Sequence, residues 1–100
     1  MSQQVVFPAD FWGSSYGTIT VTDAAIGVDP GKIGTGGIFL TLETGQIRFR
    51  FDGTDPSSTE GHLLEVGQTL TLLNIRSVRQ LKMIRTGLTS GVAKVTHLSY

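Results

Sequence analysis

Between residues 38 and 52 apolar and polar side chains alternate almost without a break. In IFLTLE (38–43) Ile38, Leu40 and Leu42 fall on one face, and in QIRFRFD (46–52) Ile47, Phe49 and Phe51 oppose Arg48, Arg50 and Asp52. A period of two is that of a half-buried strand. With Thr44-Gly45 between them, the two segments predict a β-hairpin on a tight turn. GTITVTD (17–23) repeats the pattern, with Ile19 and Val21 set against Thr18, Thr20 and Thr22. TLTLLN (69–74) predicts burial of Leu70 and Leu72, and KMIRTG and VAKVTHLSY predict two closing strands around a turn at Thr89-Ser90-Gly91. Only IRSVRQL (75–81) has helical spacing, through Ile75, Val78 and Leu81, and it is about two turns long.

Short strands at this spacing, Gly-rich turns such as Asp29-Pro30-Gly31, and no long amphipathic helix predict an all-β fold. The expected architecture is an antiparallel β-sandwich, jelly-roll or immunoglobulin-like, or else a small barrel, with six to eight strands and one short helical turn. The 100 residues have the length of one domain with one core. Residues 1–17 show neither period and hold Phe7, Phe11, Trp12 and Tyr16, so they predict an extended N-terminal arm ahead of a sandwich spanning 18–100. Burying a Phe-sized side chain is worth ~1.5–3 kcal/mol, so these rings are expected to pack on the domain or on a neighbouring copy.

Composition narrows the chemistry. There is no cysteine, which excludes disulfides and thiolate reactions and leaves zinc only two histidines and carboxylates. No basic start, signal-like apolar run or stretch of ~18 apolar residues is present, and the chain is expected to be soluble and made in the cytoplasm. The formal net charge of zero hides an asymmetry. All eight acids lie between Asp10 and Glu65, against Lys32, Arg48 and Arg50, a net −5; Arg76, Arg79, Lys82, Arg85 and Lys94 follow with no acid among them, a net +5. The basic stretch lacks interleaved aromatics, so it offers phosphate contact without base stacking and a nucleic-acid partner is disfavoured.

The loop DGTDPSSTEGH (52–62) gathers Asp52, Asp55, Glu60 and His62. A calcium loop of the EF-hand type would need an oxygen ligand and a glycine where Pro56 and Ser57 stand. Acid/base catalysis has the residue types but no spacing that fixes a pair across a cleft. The reading that fits best is a shaped connection, with Asp55-Pro56 opening a turn by bonding backbone amides. No phosphate loop, dinucleotide fingerprint or serine-nucleophile elbow is present, and no catalytic residue, cofactor or metal is expected. His97, in the last strand, reads as a partly buried or edge histidine.

The run from IRFRFDGTDPSSTEGHLLEVGQTLTL to MIRTGLTSGVAKVTHLSY resembles small β-sandwich proteins of tailed bacteriophages. The matching positions are Asp52, Gly53, Thr54, Pro56, Gly61, His62, Leu64, Gly67, Ile84, Val95 and Tyr100, covering residues 46–100. A similar turn occurs in immunoglobulin-like accessory domains of some glycoside hydrolases. The phage resemblance implies a non-enzymatic virion component, most plausibly a head decoration or cement protein that binds the shell. Its implied partners are the major capsid protein or another virion protein and further copies of itself, a trimer being one arrangement, with no membrane. Contact is expected through Phe7, Phe11, Trp12 and Tyr16 of the arm and a basic face of Arg76, Arg79, Lys82 and Arg85. The alternative is a receptor- or glycan-binding module of a phage tail or fibre.

Overall fold

The alternation around residue 40 does what a period of two requires: Ile38 and Leu40 lose all solvent contact, as does Leu42 within one per cent. They lie on one face of β2 (Gly37–Thr44) in a computed structural model that describes residues 11–100. Among the described residues seven strands form two antiparallel sheets, with α1 (Ile75–Gln80) and a 3-10 turn at Pro30–Lys32 between strands. In chain order they are β1 (Trp12–Val21), β2, β3 (Ile47–Arg50), β4 (His62–Leu64), β5 (Thr69–Leu72), β6 (Lys82–Arg85) and β7 (Gly91–Ser99). One sheet runs β1-β7-β2-β5 and the other β4-β3-β6. The fold is thus an all-β sandwich, as the alternating segments and the two-turn helix indicated.

The core is what the two inner faces place between them. Val21, Ile38, Leu40, Leu42, Ala93 and Val95 come from the first sheet, Ile47, Phe49, Leu64 and Met83 from the second. Val78 of α1 and Leu81 close one end. The six-residue helix is far shorter than a stable isolated helix. It is started by Asn74, whose side chain accepts from the amides of Arg76 (2.9 Å) and Ser77 (3.3 Å), and is fixed by the wholly buried Val78.

Four expectations need correction. Thr44-Gly45 is no hairpin turn, because β2 and β3 belong to different sheets. The chain crosses the sandwich there on Gly45 (φ +69°), where a Cβ would stand 2.5 Å from the Ser90 carbonyl oxygen. The two closing strands are present on either side of residues 86–90, with β6 paired to β3 and β7 lying between β1 and β2. Alternation tells which side of a strand is buried, and that side is the same whether its neighbour lies beside it or across the core.

The second correction concerns the arm. Residues 12–17 are strand, since β1 pairs with β7 from Trp12–Ser99 to Val21–Gly91, with a bulge at Ser14. The pattern hid this because the inward positions there are Ser15 and Gly17. A Cβ on Gly17 would lie 3.0 Å from the Lys32 ammonium, so the Lys32 side chain occupies the space where alternation would look for a large apolar residue. Third, β4 was concealed within the loop by its three-residue length. Fourth, Phe51 lies past the end of β3 and is 37% exposed, while Leu70 and Leu72 are only half-buried against the core.

Candidate functional site

The acidic loop is held by the strand that feeds it. Arg48, on the outer face of β3, donates through Nε to the Ser58 carbonyl (3.2 Å) and through Nη1 to that of Gly61 (2.9 Å). Arg50 donates to both carboxylate oxygens of Asp52, at 3.1 and 2.5 Å. That guanidinium, helped by the Thr54 amide, holds the exposed Asp52 carboxyl below its ordinary range, and Asp52 raises Arg50 in turn. The Ser57 hydroxyl accepts from the amides of Thr59 (3.3 Å) and Glu60 (3.0 Å), and Pro56 is buried. The amide bonding expected of Asp55 is thus performed by Asp52 and Ser57. Among the described residues no three of the His, Asp and Glu side chains come together as metal ligands would. His62 is exposed, its ring 5.3 Å from Phe49 and 6.1 Å from Phe51.

The aromatic residues expected in an arm are instead carried on a strand edge. Phe7 lies outside the described residues. Phe11 packs on Gly36, where a Cβ would come within 2.5 Å of its ring, and stands 5.3 Å from Tyr100. Trp12 and Tyr16 are 56% and 60% exposed. Register aligns Trp12 with Ser99 and Tyr16 with Thr96, three residues apart in a strand whose side chains alternate, so the bulge at Ser14 turns the two rings to opposite sides of the sheet. They do not make one flat platform.

The expected basic face is divided. Arg76 and Arg79 are exposed on α1; Lys82 lies beside Arg50 on the outer face of the second sheet. Arg85, three residues along β6 and therefore on its other face, aligns with Ile47, and its Nε is buried without a partner. Lys94 is on the first sheet, its ammonium 3.0 Å from the Thr18 hydroxyl. Arg79 and Lys82 do converge, on the rim of a groove of about 860 Å³ between the free edge of β1 and residues 26–33. Thr18, Thr20, Ile26 and Ile33 are among the residues that line it.

His97 is 2% exposed in central strand β7, so it is neither partly buried nor at an edge. Its Nδ1 has no hydrogen-bond partner. Burial first, and then the positive charge of Lys32, lower its pKa below 6.5, with Asp29 opposing.

No protein-family model, curated protein or solved structure matches this chain. The features to be explained are therefore its own: a loop bonded to itself, a strand edge carrying two exposed rings, and a groove with two cations. The first was foreshadowed by Asp-Gly and Asp-Pro spacing. The groove had no sequence signal, because Thr18 and Thr20 read as solvent-facing whether the strand is central or at an edge.

Proposed function

We propose that this protein is a non-enzymatic structural component of a bacteriophage virion, a decoration or cement protein that binds the capsid shell and stabilises it through subunit contacts. One observation carries the reading beside the sequence resemblance: Trp12 and Tyr16 stand more than half exposed on a strand fixed by the β1–β7 ladder. Large rings held rigidly in water are a cost to a solitary domain and an asset to one that is covered on assembly, because a preordered ring loses little entropy when it docks. Of the loop's acids, Asp52 has its carboxylate taken up by Arg50 and the Thr54 amide. The partner surface is a capsid or other virion protein, and repeated copies fit a symmetric shell.

Intact particles of the encoding phage are expected to bind antiserum against the folded domain, and Trp12→Ala with Tyr16→Ala to reduce the protein's occupancy of the shell without unfolding it. Unlabelled particles, or full occupancy by the double variant, would overturn the reading. A glycan-binding module of a tail or fibre would use the same rings. Their placement on opposite sides of the sheet counts against it, because stacking along one sugar chain needs a shared face.

A further inference from the structure

The edge of β1 is capped at two places and open between them. The Tyr16 carbonyl accepts from the Lys32 ammonium at 3.3 Å, and the Thr22 carbonyl from the Arg85 amide at 2.9 Å. Both carbonyls therefore point away from β7. In an antiparallel pair successive residues alternate between facing the partner and facing outward, so Thr18 and Thr20 turn their N–H and C=O groups outward as well. Among the described residues no backbone bond meets them there, and these groups look into the groove described above.

The groove adds two further recognition elements. The exposed Ile26 and the half-buried Ile33 give its lining an apolar surface beside the strand edge. At the α1–β6 end stand Arg79 and Lys82, and neither takes part in an ion pair, the one such pair among the described residues being Arg50–Asp52. Asp29, the acid on the rim, already uses one carboxylate oxygen on the Gly31 amide. An unpaired strand edge beside an apolar wall is the arrangement that accepts an extended peptide as an added strand, with side-chain pockets setting the sequence.

We infer that the groove between β1 and residues 26–33 captures an extended segment of a partner polypeptide, which pairs with Thr18 and Thr20, lays apolar side chains on Ile26 and Ile33, and carries a carboxylate to Arg79 and Lys82. Strand addition supplies the affinity through main-chain bonds, and the two cations select an acidic segment over a basic one. The inference goes beyond the virion reading and does not need it, because the binding is a property of the isolated domain.

The probe is a short acetylated and amidated peptide of alternating valine and threonine ending in aspartate, with the same peptide ending in lysine as control. Amide hydrogen exchange of the full chain, followed by NMR, is the readout. Saturating aspartate peptide is expected to slow exchange at Thr18 and Thr20 by about tenfold or more, with binding at least about tenfold tighter than that of the lysine peptide. Thr18→Pro deletes one outward donor while leaving the bonds to β7 intact, a substitution an edge strand tolerates, and is expected to abolish the protection. The surface variant Arg79→Glu with Lys82→Glu, which leaves the β1 backbone untouched, is expected to reverse the preference towards lysine. The inference is overturned if neither peptide protects Thr18 and Thr20, if the two peptides bind equally, or if protection appears at the β5 edge instead. It is equally overturned if those amides become protected with rising protein concentration alone, which would make the occupant a second copy of this chain.

Discussion

His97 shows how much one side chain can be asked to tolerate. It is nearly sealed in the central strand, with Nδ1 unpartnered and the Lys32 charge close enough to oppose a proton. Its folded pKa therefore lies below the 6.5 of a free imidazole, and the folded state binds fewer protons than the unfolded one across that interval. The resulting stability is fully present above 6.5 and is lost as pH falls from there through the folded pKa. Urea midpoints measured from about pH 7.5 down to about 5.5, above the range of the carboxylates, are expected to decline, and His97→Gln to flatten the decline. A wild-type midpoint constant over that range would show that the folded pKa is not lowered. Arg48 is the other residue on which much rests. Removing it in Arg48→Ala leaves the carbonyls of Ser58 and Gly61 without their shared donor and is expected to cost ~1–3 kcal/mol and to open the 52–61 loop to protease. Arg48→Lys is expected to rescue little, since one ammonium does not reproduce the guanidinium fork.

Elements in this fold are too short to persist alone, and each depends on one local device and one buried contact. α1 has six residues, Asn74 at its start and Val78 in the core. Asn74→Ala is expected to cost ~0.5–2 kcal/mol in chemical denaturation, and Asn74→Asp to restore most of it, because aspartate caps equally well. The same dependence explains what the alternating pattern revealed. β2 and β3 were legible because their inward residues are large and apolar. The first half of β1 was not, because Ser15 and Gly17 face the space already filled by Lys32. β4 was not, because three residues are too few to display a period. The loop's character was legible from its turn residues, although the roles expected of Asp55 belong to Asp52 and Ser57.

At the scale of the whole molecule the decisive fact is that the N-terminal strand is an edge added to the C-terminal one, with β7 supported by β1 on one side and β2 on the other. No local pattern carries that pairing, which joins residues about eighty apart, and for the same reason alternation across Thr44-Gly45 points to a hairpin that the sheets do not form. It also changes what truncation should do. Removing residues 2–16 takes away the Trp12–Ser99, Gly13–Leu98, Ser15–His97 and Tyr16–Thr96 pairings and the Ser14 hydroxyl bond to the His97 carbonyl, so it is not the trimming of a free arm. Relative to a chain shortened only through residue 10, this deletion is expected to lose ~2–4 kcal/mol at ~1 kcal/mol per ladder bond. It also uncovers the 96–99 segment of β7, whose unpaired backbone groups favour edge-to-edge association. Denaturant titration separates the two deletions in stability, and light scattering is expected to show the longer one aggregating. Equal stability of the two deleted chains would mean that the start of β1 contributes nothing to the sheet, and that the two exposed rings lack the rigid support on which the assembly reading relies.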